Sequence, residues 1–226
     1  MAFGQIFNAM VGFFEEDEWD FQWMEGLPVL SMPFVGNNGR WLCYAQAREK
    51  QEQFVFYSVA PVNVPEDRRS AVAEYVTRAN YGMIIGNFEM DYEDGEVRYK
   101  TSIGIEGAAL TPSLARHLVY TNVVVMDRYL PGLLRVIYGE ADPVVEIDRI
   151  ESSDADDSDA DDEDSAFDVD TLIFHDEYDE DQTLDAGDLD VENHLSPRIM
   201  DDIGSILDDA DRRFDAGAFP VDAEDD

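Results

Sequence analysis

The chain is poor in the residue types from which most catalytic and metal centres are built. A single cysteine, Cys43, in 226 residues excludes an internal disulfide and every zinc site that needs several thiolates, and it suits a reducing cytosol. The three histidines, His117, His175 and His194, show no HExxH-type spacing, so no metal ligand set is expected. Phosphate-cradling and nucleophile-elbow patterns (GxGxxG, Walker A, GxSxG) are missing as well, and the GMIIG of residues 82–86 reads as a helix stop and strand entry. No apolar run approaches the roughly 18 residues of a membrane span. The N-terminal stretch MAFGQIFNAMVGFFEEDEWDF has no positively charged n-region and meets acids at once, which argues against a signal peptide. These absences predict a cytoplasmic, non-enzymatic protein with no cofactor.

Negative charge is abundant and unevenly spread. Lysine occurs only at positions 50 and 100, and Asp and Glu outnumber Lys and Arg by 52 to 15, for a net charge of −37. Residues 1–150 carry 22 acidic and 12 basic side chains, whereas residues 151–226 carry 30 and 3. All three Trp and most of the Phe and Tyr fall in the first part. Only that part has enough apolar surface to offset the entropy of ordering a chain. The expected organisation is therefore a folded domain over 1–150 and an acidic, mostly disordered tail over 151–226. Nucleic acid and anionic membranes would be repelled by such a chain, which leaves basic proteins and cations as its electrostatic partners. Arginine over lysine, with much Asp, also suits a high-salt organism.

Periodicity gives the elements of the first part. Phe3, Ile6, Phe7, Met10, Phe13 and Phe14 recur at helical spacing and make an aromatic face that must be buried. Residues 27–35 and 40–47 read as strands around Asn38-Gly39, a strong hairpin signal, and Pro33 places the first of them at a sheet edge. Residues 53–60 (QFVFYSVA) are apolar on both faces, as a strand covered on both sides would be. Pro65 opens a helix with a stripe of Val72, Tyr75, Val76 and Ala79, and Gly82 follows its end. Asp94-Gly95 predicts a two-residue type I′ turn that sets Glu89 opposite Lys100, Met90 opposite Tyr99, Asp91 opposite Arg98 and Tyr92 opposite Val97. Thr111-Pro112 caps a long helix that Pro131-Gly132 should kink or break and Gly139 ends. The order α-β-β-β-α-β-β-α, with no βαβ run, predicts an α+β fold with helices flanking an antiparallel sheet.

The stretch VPEDRRSAVAEYVTRANYGMIIGNFEMDYEDGEVRYKTSI, with DRYLPGLLRVIYGEADP downstream, resembles the YbjN-like family, candidate sensory transduction regulators related in fold to type III secretion chaperones. The likeness runs over about residues 25–145. Its most specific pieces are Arg78-Ala79-Asn80, GEVRYKTSI, and Tyr129-Leu130-Pro131-Gly132 with Gly139. The resemblance implies protein binding, regulatory or chaperone-like, as a homodimer, and it brings no catalytic residue. The aromatic N-terminal segment and the acidic tail depart from the family core.

The remaining candidate residues read as structural. Cys43 shares a strand face with Trp41 and Ala45, where it serves as a small buried hydrophobe, and His117 reads as a solvated or capped helix residue. Paired carboxylates are too common here to mark acid–base chemistry, which needs two held in a cleft with pKa values pushed apart. Asp154, Asp156 and Asp159 imitate an EF-hand loop but lack its Gly and terminal Glu, so a solvated linker is the expectation. In residues 196–216, Ser196 caps, Pro197 sits at N1, and Ile199, Ile203, Ile206 and Leu207 form a narrow apolar stripe on a short amphipathic helix, the candidate protein-interaction motif. A helix of that length is marginal alone, so it docks either on its own domain or on a partner. A second functional expectation, from a different class, is an acidic decoy or histone-chaperone-like protein whose tail binds basic partners.

Overall fold

The computed structural model describes residues 4–139 and 141–157, and the side chains within 153–157 are not described. In chain order the elements are α1 (Gln5–Glu16), β1 (Gln22–Trp23), β2 (Val29–Val35), β3 (Arg40–Arg48), β4 (Gln53–Val59), α2 (Arg69–Asn80), β5 (Asn87–Met90), β6 (Val97–Gly104), α3 (Pro112–Tyr138) and α4 (Pro143–Asp157). The strands form one sheet in the order β1-β2-β3-β4-β6-β5, with every pair antiparallel. The fold is α+β, as expected, with β1 and α4 added to the predicted order. The signal for α4 was in the sequence: Asp142 precedes Pro143 and its carboxylate accepts from the Val144 amide at 2.8 Å, an N-cap followed by proline at N1. This helix carries the ordered chain across residue 150, with Ile147 and Ile150 buried in the core.

All four helices share one core with one face of the sheet. The aromatic stripe of α1 is buried there, with Phe13 and Phe14 essentially inaccessible. Phe14 stacks on Phe56 of β4 at 6.1 Å and meets Trp19 edge-on at 5.5 Å. One orphan amide of the helix's first turn, that of Phe7, donates to the Glu49 carboxylate at 2.8 Å. Asn122 of α3 lies fully buried and donates to the carbonyls of Phe56 and Tyr99 and to Thr101 Oγ1, tying the helix to β4 and β6. Glu146 of α4 is held by Arg135 of α3, with 2.6 Å between Oε2 and Nη2.

Three local expectations are corrected by long-range contacts. Neither Asn38-Gly39 nor Asp94-Gly95 forms a type I′ turn, since neither Asn38 nor Asp94 has a positive φ. The first hairpin closes through a four-residue loop, with Val35 opposite Arg40 and the Gly36 amide donating to the Gly39 carbonyl at 2.8 Å. In the second, the register is displaced by two residues, so Met90 faces Val97, Phe88 faces Tyr99 and Glu89 faces Arg98. The longer loop forms because Asp91 and Asp94 accept from the amides of Glu93 and Glu96 at 2.7 and 2.9 Å, and because Val64 donates to the Gly95 carbonyl at 2.7 Å. A shift of two preserves the faces, so the predicted charged face survives. Helix α3 is not broken at Pro131. Pro33 stands at an open edge only because β1 pairs no further along β2 than Ser31.

Candidate protein-binding surface

Every strand residue in the helix-side core has the same parity: Leu30 and Met32, Trp41 to Ala47 in alternation, Phe54 and Phe56, Val97 and Tyr99, and Phe88. The opposite parity builds the second face, and the strand pairing sets it out in rows. One row runs Val29, Gln46, Val55, Ser102; the next Ser31, Tyr44, Tyr57, Lys100, Asn87; the third Pro33, Leu42, Val59, Arg98, Glu89. None of the apolar members of these rows joins the core formed with the helices. They are nonetheless buried, Val29 at 0% exposure, Tyr44 at 2% and Val55 at 3%. A solvated second face of an antiparallel sheet would alternate to polar side chains, and this one carries Val, Leu and Tyr at its centre.

The rim of that face is basic. Arg40 and Arg48 stand at the two ends of β3 and share the parity of Tyr44, while Arg98 and Lys100 project from β6. Glu89 binds both of the latter, at 3.0 Å to Arg98 Nε and in a short contact to Lys100 Nζ. Burial raises the acidity constant of Glu89, but the hydrogen bond from Lys100 and the charge of Arg98 outweigh it and hold this carboxyl below the usual range. The Arg98 guanidinium also lies 4.8 Å from the centre of the Tyr57 ring. Two donors on this face have no hydrogen-bond acceptor among the described residues: the Tyr44 hydroxyl and Arg48 Nε. Burial, with the charges of Glu96 and Cys43, keeps the Tyr44 phenol protonated far above its ordinary range. The face therefore combines an apolar centre, two donors that lack acceptors and a positive rim.

The residues singled out by sequence fall elsewhere. Cys43 lies on the helix side between Met32 and Ser58, its Sγ 3.4 Å from Ser58 Oγ. Burial pushes its thiol up to about 12 against the lowering effect of hydrogen bonds with Ser58 and Trp41, so it stays a thiol at neutral pH. His117 is exposed on α3. Ile199, Ile203, Ile206 and Leu207, with Asp159, His175 and His194, lie outside the described residues. Asp154 and Asp156 fall in the last turn of α4, without described side chains. A cavity of about 160 Å³ between α1 and the loop after β6 includes Glu49 and Glu52, but Glu49 is already engaged with the Phe7 amide. Tyr44 and its rows were not singled out by sequence reasoning. Their signal was present in QFVFYSVA and RWLCYAQA, two runs too apolar for a one-sided sheet.

The motifs that carried the resemblance turn out to be structural. Asn80 exchanges two hydrogen bonds with the backbone of Phe88, at 2.7 and 3.0 Å, and so fixes the edge strand β5. Gly132 leaves room for Tyr75, whose hydroxyl would lie 2.6 Å from an added Cβ and which donates to the Tyr129 carbonyl at 2.8 Å.

Comparison with known proteins gives a match of residues 12–135 to the family model "YbjN: Putative bacterial sensory transduction regulator". No curated protein matches the chain. Similar solved structures include "YbjN, a putative transcription regulator from E. coli", at 9% identity and a TM-score of 0.43, covering 58% of this chain and 87% of that one. They also include the HopA1-SchA chaperone-effector complex, at 11% identity and a TM-score of 0.36, covering 55% and 92%.

Proposed function

The chain belongs to the YbjN family, and we propose that it is a non-enzymatic, cytoplasmic regulatory or chaperone-like module that binds another protein on the helix-free face of its sheet. The observation that carries this reading is Tyr44, a buried phenol without an acceptor at the centre of a row of Val, Leu and Tyr side chains. An unmade hydrogen bond to a buried donor costs about 1–3 kcal/mol, and a polypeptide laid across the face removes that cost while burying apolar side chains. Interfaces of this composition, with aromatic residues at the centre and Arg at the rim, concentrate binding energy in a few residues. The partner segment is apolar and acidic, by complementarity with Arg40, Arg48, Arg98 and Lys100.

The homodimer implied by the resemblance is part of the same proposal. It has its own apolar surface in Tyr81 and Ile84, 96% and 98% exposed after α2. Light scattering after size exclusion checks it, with a monomer at all salt concentrations counting against it. For the face itself, a photo-cross-linking residue placed at Tyr57 of the full chain captures a discrete protein, and the same residue placed at Tyr138, exposed on α3, does not. Equal capture from both positions removes the reading. The second reading, an acidic decoy, rests on the net charge of −27 carried by residues 151–226 and requires that deleting those residues abolish partner recovery.

A further inference from the structure

Beyond the helix side and the basic-rimmed face, the sequence holds one short segment matched to the latter. Residues 167–174, Phe-Asp-Val-Asp-Thr-Leu-Ile-Phe, are the most apolar stretch after α4. Acids flank them on both sides, Asp161 to Asp164 before and Asp176, Glu177 and Asp179 after. Phe167, Val169, Thr171 and Ile173 alternate with the neighbours that would point away in an extended chain. An apolar centre between two acidic flanks is the charge and hydropathy complement of a face with Val29, Tyr44 and Val55 at its centre and Arg40, Arg48, Arg98 and Lys100 around it.

We propose that residues 167–174 are an intramolecular strap that covers this face and must leave before a partner protein binds there. The proposal deepens the protein-binding reading above and rests on it for the partner, though not for the strap itself. Three observations favour this occupant. A single chain buries Val29 and Tyr44 on a side where none of its four helices packs, which calls for cover from the same chain. The nine residues between Asp157 and Phe167 reach about 30 Å when extended, comparable with the diameter of a domain whose radius of gyration is about 15 Å. A tether so short gives an effective concentration of the order of millimolar, so a weak contact is enough to close it. A second copy fits less well. Two identical faces, each with four basic side chains against Glu89 and Glu96, repel one another when brought together.

The strap sets a competition. A ligand that shares the face must overcome the closed population, and its apparent affinity falls by the open fraction. Regulation then follows from whatever weakens the strap, including high salt acting on its flanks.

The test uses the full chain and needs no partner. Hydroxyl-radical oxidation of Tyr44 and Tyr57 is measured by mass spectrometry in the natural sequence and in a Leu172→Asp, Ile173→Asp variant, with circular dichroism as a control for folding. Opening the strap raises oxidation of Tyr57 about tenfold. A Tyr57→Cys, Leu172→Cys pair reports the contact directly, with buried Cys43 left in place, because it forms a disulfide within one chain under mild oxidant. Unchanged oxidation in the Leu172→Asp, Ile173→Asp variant overturns the proposal. So does a disulfide that forms only between chains, which assigns the face to a second copy, or protection that is lost instead when Ile203 and Ile206 are changed, which assigns it to residues 196–216. Each of these leaves cross-linking of a partner from Tyr57 intact, so failure of the strap and failure of the protein-binding reading are separable.

Discussion

The side-chain amide of Asn38 donates to the main-chain carbonyl of Asp127 at 3.2 Å, taking the place of the helical donor that Pro131 lacks. Four residues into a helix from a carbonyl, proline leaves that oxygen without its partner, and the tip of the β2–β3 hairpin fills the gap. The Asp127 carboxylate returns the contact, accepting from the amides of Asn37 and Asn38 at 3.1 and 2.8 Å. Proline in α3 and the hairpin loop thus form one clamp, and this is why the helix continues to Tyr138.

Replacement of Asp127 by alanine removes the two carboxylate contacts. A loss of about 1–2 kcal/mol is expected, as for charge-assisted bonds that solvent partly replaces. Urea unfolding measures it, and the amides of Asn37 and Asn38 should exchange faster in deuterated water while those of α1 do not.

Gly132→Ala tests the close approach of α2 and α3. The new Cβ would stand 2.6 Å from the Tyr75 hydroxyl and 3.1 Å from Ile150 Cδ1, so Tyr75 must move and its bond to Tyr129 is lost. Overpacking of this kind costs about 1–3 kcal/mol, read as a lower melting temperature. An unchanged melting temperature would show that the gap is wider than the geometry allows.

Tyr44→Phe removes a buried donor that has no acceptor among the described residues. Deleting such a group is neutral or stabilising for the free protein, yet capture of a partner from Tyr57 should fall. A destabilised variant would mean that the hydroxyl is satisfied within the chain.

Glu89 supplies a dependence on pH. Its carboxyl is held below the usual range by Lys100 and Arg98, against the opposing effect of burial. Its folded value is lower than its unfolded one, about 4.3, so the stabilisation is present above that pH and is lost as pH falls through the folded value. The stability of a Glu89→Gln variant should therefore be lower than that of the natural chain at pH 7, with the difference shrinking below about pH 4. Chemical denaturation at both pH values decides.

Cys43 should resist thiol reagents in the folded chain at pH 8, because its thiol is pushed up to about 12 by burial and the thiolate is the reacting species. One equivalent reacts once denaturant is added. Rapid labelling of the native protein would place Cys43 near solvent.

Much of the site was legible in pieces. The two-sided apolar character of QFVFYSVA pointed to a second buried face, and that face exists, with Val55 and Val59 on it and Phe54 and Phe56 on the other. The aromatic stripe of α1, in contrast, is consumed by its own core and offers no surface to a partner. Which residues stand beside Tyr44 was not readable, because a row such as Ser31, Tyr44, Tyr57, Lys100, Asn87 joins five strands and depends on every register between them.

Sequence by itself determined the α+β class, the order of the main helices and strands, the buried sides of α1 and α2, and the concentration of acid beyond residue 150, because periodicity and composition act through neighbours a few residues apart. Tertiary structure decided the register of β5 against β6, the continuity of α3 through Pro131, and which sheet face the helices leave bare. Those depend on Val64 meeting Gly95, Asn38 meeting Asp127 and four helices choosing one side. Contacts of that kind join positions far apart in the chain, and their energies exceed the local turn preferences that they override.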